Sequence, residues 1–327
     1  MKNLKSIEEV SALIASGQPL SLAGSAESLQ QLPAGNWIGG TINYFTTAEG
    51  CETSADKLLV NTFPADAEVT FQVYEAATVQ NLVDESPDRG YAQVITPSGC
   101  TTLEQFALFG RDAEDAFLKP VVGWVSGVPL EGIGTAKPAV FLGQDASVWE
   151  DAMVAAHVSL PAGQLASLSI VNIFEPETDC VVRFAQTGLT ASECLVNGQP
   201  QKLVDFLRAH NNAEGRLPLM GDFGGAQVNV SIQSVDQETG LVTFYAPVFA
   251  DTDYHLAQDV ADYAASFAHL TAAPSHGDIA FSCNCILNYL HGELEGRKTG
   301  SDVGPITFGE IAFQLINQTL VRLHIHA

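Results

Sequence analysis

The chain has 327 residues, of which 46% are apolar and only 16% are charged, so it can form a large folded core and is unlike a disordered chain. Its 38 acidic residues outnumber its 14 basic ones, for a formal net charge of −24. Because this charge repels phosphate backbones and anionic bilayers, we expect neither nucleic acid nor a membrane surface as a partner.

The cysteine content and the apolar runs indicate a cellular compartment. Six cysteines are too few and too irregularly spaced for a disulfide framework, and they predict reduced thiols. No stretch approaches 18 consecutive apolar residues, and the N-terminus lacks the apolar core of a secretion signal. We therefore expect a cytoplasmic protein that does not span a membrane.

The first part of the chain predicts helices and strands in alternation. A capping box, formed by Ser6 and Glu9, predicts a helix that begins after Ser6. A second capping box at Thr101 and Glu104 predicts another helix. Between and after these helices, apolar runs and polar–apolar alternation predict strands. The predicted strands cover residues 36–45, 57–63, 69–73, 91–95 and 121–125.

From residue 153 onward the pattern predicts mainly strands. Asn197 and Gly198 favour a tight hairpin turn, and Pro200 predicts the start of a helix that continues through Leu207. Apolar residues spaced by three and four predict a further helix over 256–267. The remaining predictions are strands at 153–160, 165–174 and 180–185, a hairpin of 228–233 with 241–249, a strand ending at 284, a short helix to 291 and a last strand at 320–325.

Hairpins occur in both halves beside isolated helices, which predicts the α+β class rather than a doubly wound parallel sheet. We expect two closely packed lobes, residues 1–163 and 164–327, because no low-complexity linker separates them. Each lobe should hold a mixed, largely antiparallel sheet with its helices outside, for which an α/β/β/α arrangement of layers is one solution.

Two pairs of soft ligands share a spacing that places both members on one strand face. Cys283 and Cys285 form one pair, and His324 and His326 form the other. If the two strands pair, these residues can converge on a metal, and a histidine can also ligate haem. Buried thiols beside a loose C-terminal tail explain the same pattern. We predict no metal or cofactor and keep the four residues as metal candidates.

The C-terminal third carries a family resemblance. Residues 304–311 (GPITFGEI) and 315–320 (LINQTL) resemble the closing motif of FIST domains, the F-box and intracellular signal transduction proteins. Residues 279–283 (IAFSC) are similar to the strand of that family that ends in Ser-Cys, and 198–200 resembles its Gly-x-Pro helix start. At the N-terminus, 37–44 (WIGGTINY) matches only part of the first FIST motif. The chain thus resembles a divergent, stand-alone FIST protein.

This resemblance implies a sensory protein of intracellular signalling that binds a small metabolite such as an amino acid, with haem in some members. No output domain is visible, so the signal would pass to a partner protein. The residues that the resemblance points to are Thr307 and Glu310 at a strand end, with Cys283 near the same cleft. Thr41 and Asn43 would join them if their strand is regular.

The same residues also fit a structural or an enzymatic role. Gly309 can serve a turn or bulge while Glu310 caps a neighbouring backbone group. Phosphate-binding loops and the Gly-x-Ser-x-Gly elbow do not occur in the sequence, but Cys283 with His291 or His276 can be the nucleophile and base of a hydrolase. A structural or assembly protein with an acidic surface is the third alternative, and it predicts no enclosed polar pocket.

Overall fold

The structure is a computed structural model that describes residues 4–113, 115–116, 118–223, 226–272 and 277–326. These residues form seven α-helices, 27 strands and three short 3₁₀ helices at Val79–Asn81, Gly110–Asp112 and Leu130–Gly132. The α-helices are α1 (Ile7–Ala15), α2 (Ala26–Leu29), α3 (Leu82–Glu85), α4 (Thr101–Phe109), α5 (Leu203–Ala209), α6 (Tyr263–Thr271) and α7 (Ile286–His291).

The 27 strands are distributed along the whole described chain. The first twelve are β1 (Leu4–Lys5), β2 (Leu20–Gly24), β3 (Trp37–Thr41), β4 (Tyr44–Thr47), β5 (Gly50–Thr53), β6 (Leu58–Thr62), β7 (Glu68–Tyr74), β8 (Gly90–Pro97), β9 (Val121–Ser126), β10 (Val140–Leu142), β11 (Ser147–Trp149) and β12 (Met153–Ser159). The next are β13 (Leu165–Val171), β14 (Val182–Arg183), β15 (Gly188–Ala191), β16 (Glu193–Val196), β17 (Gln199–Lys202), β18 (Leu219–Phe223), β19 (Ala226–Val230) and β20 (Ile232–Val235). The last are β21 (Val242–Val248), β22 (Tyr254–Leu256), β23 (Asp278–Cys285), β24 (Gly304–Thr307), β25 (Glu310–Ala312), β26 (Gln314–Ile316) and β27 (Leu320–His326).

Two six-stranded sheets form the centre of a four-layered arrangement. One has the order β1-β6-β2-β3-β10-β11 and the other β26-β25-β9-β8-β12-β7. Helices α1 and α2 cover the outer face of the first sheet, whose inner face packs on β8, β9 and β12. The opposite face of the second sheet packs against α3 and α4 through Ala92, Val94 and Phe106. The layers are therefore α/β/β/α, and the predicted α+β class is confirmed.

The remaining sheets bring distant parts of the chain together. A third sheet, β13-β27-β23-β24-β4-β5, also packs on the second one, through β23, β24 and β13. The sheets β17-β16-β14-β22-β18-β19 and β15-β21-β20 enclose a separate core with α5. This core includes Leu103 and Ala107 of α4 and Val125 of β9. Helix α4 therefore lies between two cores, with one face on each.

The first residues of the helices show where local sequence signals predict the cap correctly. At α1 the predicted capping box is confirmed, because the Ser6 hydroxyl accepts from the Glu9 N–H while the Glu9 carboxylate accepts from the Ser6 N–H. Helix α4 exists as predicted, but its capping box is wrong. Its N-cap is Cys100, whose sulfur accepts from Leu103 N at 3.4 Å, and the carboxylate of Asp151 accepts from Thr102 N at 2.8 Å. The local cap is thus at Cys100 instead of Thr101, and a tertiary contact from Asp151 adds to it.

Two predicted helices begin later than expected. The helix predicted from Pro200 begins only at Leu203, because Gln199–Lys202 is β17 and pairs with β16. The helix predicted from 256 begins after Asp262, whose carboxylate accepts from Ala265 N at 3.1 Å. Tyr254–Leu256 instead pairs with β18. In both places strand pairing overrides the helical spacing.

The predicted hairpins are confirmed. Asn197 and Gly198 have φ angles of 49° and 80°, which the turn between β16 and β17 requires. β20 and β21 form the second hairpin, although β19 and β20 divide the predicted strand at Ser231. Among the described residues, no helix is both long enough and apolar enough to cross a membrane.

Candidate ligand-binding site

The ends of several strands bring three of the predicted site residues together. β23 and β24 run parallel, with Cys285 opposite Thr307, and the Thr307 hydroxyl lies 3.2 Å from the carbonyl oxygen of Asn284 and 3.0 Å from that of Gly309. The next strand, β25, begins with Glu310 and pairs with β9. On β23 the Cys283 thiol donates to the carbonyl oxygen of residue 123 in β9 at 3.5 Å. Thr307, Glu310 and Cys283 therefore lie where β9, β23, β24 and β25 meet.

Glu310 is a fully buried carboxyl group that is only half satisfied. Its Oε2 accepts from the hydroxyl of Thr319 at 2.8 Å and from the Thr319 N–H at 3.2 Å, so Glu310 does cap a neighbouring backbone group. Its Oε1 has no hydrogen-bond partner among the described residues. Burial raises the pKa of Glu310 from 4.5 to about 8, although the hydrogen bonds from Thr319 oppose the shift. Glu310 is consequently mostly protonated at neutral pH.

The two cysteines beside Glu310 are buried thiols. Burial raises the pKa of both Cys283 and Cys285 well above the usual range, and the adjacent Glu310 carboxyl adds to the effect. A nucleophilic cysteine needs a lowered pKa and access to substrate, so this environment gives a Cys283 hydrolase no support. Of the two suggested bases, burial lowers the pKa of His291, and His276 lies outside the described residues.

Unpaired polar atoms concentrate around Glu310. Four amide side chains at the ends of β23, α7 and β26, each at most 2% exposed, leave one polar atom without a partner among the described residues. These atoms are Asn284 Nδ2, Asn288 Oδ1, Asn317 Oδ1 and Gln318 Nε2. We call these four residues and Glu310 the buried polar cluster. Buried polar groups are nearly always hydrogen-bonded, so such a concentration indicates ordered water or a ligand.

A cleft opens next to this cluster, between α4 and β21. It has a volume of about 340 Å³ and mostly apolar walls, with a few polar groups from Ser98, Glu104, Gln233 and Tyr245. We call it the α4 cleft. Its other lining residues are Gly99, Cys100, Leu103, Ala107, Val125, Ile133, Leu189, Phe244, Phe308 and Leu315. Both halves of the chain thus contribute walls.

Tyr245 connects the α4 cleft with the buried polar cluster. Tyr245 is 37% exposed where it lines the cleft, and burial of the rest of the side chain raises the pKa of its phenol, to which the Cys285 thiol contributes. On the backbone side, Tyr245 N donates to the carbonyl oxygen of Ser231 at 2.9 Å. The Ser231 hydroxyl in turn donates to Gln318 Oε1 at 2.7 Å. The Tyr245 side chain therefore lines the cleft, and its backbone is linked through Ser231 to Gln318 of the buried polar cluster.

Comparison with known proteins places the chain in a family. The model of DUF6976, a family of unknown function, matches residues 5–326. The chain belongs to the DUF6976 family. The FIST resemblance is therefore wrong: its short motifs cover separate segments, whereas the DUF6976 match spans nearly the whole chain. No curated protein matches the chain. DUF6976 membership assigns no activity, ligand or haem to this chain.

The DUF6976 fold separates Thr41 and Asn43 from the other predicted site residues. The predicted strand 36–45 is divided, because β3 ends at Thr41 and β4 begins after Asn43 in another sheet. The Thr41 hydroxyl oxygen accepts from Ala139 N at 3.0 Å, and Asn43 Nδ2 donates to the carbonyl oxygen of Ser54 at 3.1 Å. Neither residue is among the described residues that line the α4 cleft, and Thr307, Glu310 and Cys283 are not among them either.

The four metal candidates do not converge. β23 and β27 do pair, but in a register that places Cys283 opposite Val321 and His324 opposite Ile279. His324 and His326 lie on β27, an inner strand of its sheet, so the expectation of a loose tail is wrong. Their Nε2 atoms lie 2.8 and 2.7 Å from the hydroxyls of serines 169 and 167 in β13. In the part of the chain that the structure describes, no three His, Cys, Asp or Glu residues form a group that could hold a metal ion.

The sequence patterns missed the residues that make the α4 cleft. Tyr245 occupies one position of a predicted strand, and its place in the cleft depends on how β21 meets α4. The buried amides had a signal that was available: the polar run 317–319 directly precedes the apolar strand β27. A polar run that is fully buried beside a core strand is uncommon and indicates a specific role.

Proposed function

We propose that the chain binds a small molecule in the α4 cleft. The observation that carries this proposal is the cleft itself, whose volume of about 340 Å³ suits a small metabolite. Apolar walls with a few placed polar groups are typical of ligand sites.

The charged side chains in the cleft lining limit the net charge that a ligand can carry. Glu104 is the only charged side chain among the described lining residues, and Lys, Arg and His are absent from them. A ligand with net negative charge has no cationic partner in this lining, and the net charge of −24 repels it further. The proposed ligand is therefore neutral or cationic with an apolar body, and an amino acid fits only as a species without net negative charge.

The proposal is restricted to ligand binding and location. The sensory role and the partner protein for output were inferred from the FIST resemblance alone, so we do not extend the proposal to signalling. We do propose a cytoplasmic location. The six cysteines are all free thiols, which suits a reducing compartment.

A thermal-shift screen tests the proposal. Purified protein is heated with matched neutral, cationic and anionic small molecules, and a ligand at 100 times its dissociation constant adds about 2.7 kcal/mol of stability. We expect a concentration-dependent rise in Tm with a neutral or cationic compound. A flat response across the panel, with the protein folded, contradicts the proposal and favours an assembly role.

Two matched variants test whether the ligand binds in the α4 cleft. Ala107→Leu adds volume to α4 where it lines the cleft, and we expect the Tm shift to be lost. Ala12→Leu makes the same change on the exposed side of α1 and should leave the shift intact. If the shift survives Ala107→Leu, the ligand binds elsewhere. Tyr245→Phe removes only the phenol hydroxyl and should weaken binding by about tenfold, the effect of one hydrogen bond.

A further inference from the structure

A second cavity lies away from the α4 cleft, where the segment before β14 meets the end of α5. It has a volume of about 600 Å³ and a largely polar lining. Cys180 and His210 line it together with three carboxylates, Glu177, Asp179 and Asp259. We call it the Cys180 pocket. Lys and Arg are absent from its described lining residues.

Cys180 and His210 have the geometry of a nucleophile beside its base. His210 Nδ1 lies 2.8 Å from the carbonyl oxygen of Phe206, and because a carbonyl oxygen can only accept, Nδ1 carries the proton. In the neutral imidazole Nε2 is then the acceptor, and it lies 4.0 Å from the Cys180 sulfur, at the outer limit for a hydrogen bond to sulfur. The Phe206 ring packs against the imidazole with centroids 4.3 Å apart, which holds the ring in this orientation. Nucleophile, base and orienting group are all present.

Cys180 is also the accessible thiol of this chain. It is half-buried and lines the pocket, whereas each of the other cysteines is at most 9% exposed. The buried ones are Cys51, Cys100, Cys194, Cys283 and Cys285. Thiol chemistry requires access as well as a base, so Cys180 alone meets both conditions.

We propose that Cys180 and His210 form a site of reversible covalent modification that reacts with small cationic disulfides. The three carboxylates attract a cation into the Cys180 pocket and repel an anion, since no positive side chain balances them in the described lining. This proposal does not depend on the α4 cleft. It assigns the pocket a thiol–disulfide exchange reaction that the buried Cys283 and Cys285 cannot perform.

The reaction is balanced without a further reagent. His210 Nε2 takes the proton from the Cys180 thiol, and the thiolate attacks one sulfur of the disulfide. The disulfide S–S bond breaks as the bond between Cys180 and the attacked sulfur forms. The leaving thiolate takes the proton from the His210 imidazolium, so a mixed disulfide and a free thiol are the products. A second thiol reverses the reaction.

Three disulfides of similar size test the charge preference. Cystamine is cationic, 2-hydroxyethyl disulfide is neutral and 3,3′-dithiodipropionate is anionic. Rates of adduct formation at pH 7.5 are measured by peptide mass spectrometry and divided by the rates of a neutral cysteine peptide. We expect Cys180 to react first, with cystamine at least fivefold faster than the neutral reagent and the anionic one slowest. Added salt should reduce the differences in rate between the three reagents.

Matched variants test the parts of the site. His210→Gln should lower the Cys180 rate about tenfold, whereas His269→Gln, at an exposed histidine of α6 that is not part of the described lining, should not change it. Asp259→Asn keeps the base and should reduce only the cystamine preference. The proposal is overturned if Cys100 reacts before Cys180, if His210→Gln reacts as fast as wild type, or if cystamine shows no advantage. Asp259→Asn tests whether the carboxylates cause the preference for cystamine, even if His210→Gln does not fold.

Discussion

Two buried ionisable side chains, on strands of two different sheets, differ in how their polar atoms are satisfied. Arg322 on β27 is 5% exposed and makes two hydrogen bonds of 2.7 Å to the carboxylate of Asp302, which is itself 3% exposed. Its Nη2 also donates to the carbonyl oxygen of Thr271 at 3.4 Å. Glu310 on β25 is fully buried, has no cationic partner among the described residues, and leaves one oxygen unpaired.

The contrast separates a buried charge that is paired in place from a buried carboxyl group that is held neutral. The Arg322–Asp302 pair is satisfied in place, since each charge neutralises the other and their geometry is bidentate. Glu310 avoids the cost of a buried charge by keeping its proton, as its raised pKa indicates. A buried group that is held neutral and incompletely bonded is the kind that ligands and catalytic sites use. The following three changes test this distinction.

Breaking the Arg322–Asp302 pair should have the largest effect. Arg322→Met leaves the Asp302 carboxylate buried without a partner, and we expect the free energy of unfolding to fall by about 3–5 kcal/mol. Urea denaturation monitored by circular dichroism measures it. The exposed pair of Arg183 and Asp253 is the control, and Arg183→Met should cost less than about 1 kcal/mol. Adding Asp302→Leu to Arg322→Met should recover much of the loss. If the double variant is no better than the single one, desolvation of Asp302 is not the cause.

Replacing Glu310 should change how stability depends on pH. Because the pKa of Glu310 is about 8 in the folded state and 4.5 unfolded, the folded state binds the extra proton between these values. The stability associated with Glu310 is therefore fully present below pH 4.5 and is lost as pH rises through 8. Glu310→Gln, which mimics the protonated form, should match wild type near pH 4 and exceed it by roughly 4 kcal/mol at pH 8. Denaturation midpoints across this range measure the difference.

The control for that experiment is the same substitution at Glu238, which is exposed in the turn after β20. Glu238→Gln should follow the wild-type curve at every pH. Parallel curves for Glu310→Gln and wild type would show that Glu310 is not held protonated in the folded chain, and the contrast with Arg322 would then disappear.

Removing a single hydrogen bond to Glu310 should have the smallest effect. Thr319→Val deletes the hydroxyl that donates to Oε2 at 2.8 Å, which should cost about 1 kcal/mol. It should also raise the pKa of Glu310 further, since this bond favours the ionised form. Thr319→Ser keeps the hydroxyl and should behave as wild type in both respects. An unchanged pH midpoint in Thr319→Val would contradict the assigned role of this hydroxyl.

Local signals in the sequence were sufficient where neighbours along the chain supply the interaction. The capping box of Ser6 and Glu9 and the turn at Asn197 and Gly198 are complete within a few residues, and both are confirmed. The polar–apolar alternation of β7 and the apolar strand β27 are also as predicted, since side-chain period follows directly from backbone geometry. Together these patterns correctly determined the α+β class.

Tertiary structure decided everything that depends on which segments meet. Part of the cap of α4 comes from Asp151, which lies 49 residues from its partner Thr102, so no local pattern could reveal that contact. The register of β23 and β27 separates Cys283 from His324, although their spacing along each strand suggested convergence.

Sequence motifs predicted some residues of the candidate site, and tertiary contacts determined the others. Thr307, Glu310 and Cys283 were singled out from sequence motifs, and strand pairing does bring them together. The α4 cleft combines residues of α4, β9 and β21, and Cys180 meets His210 across 30 residues. Composition and periodicity determine which faces are buried, but only the packed chain determines which polar groups are buried together, because that depends on contacts between segments far apart in sequence.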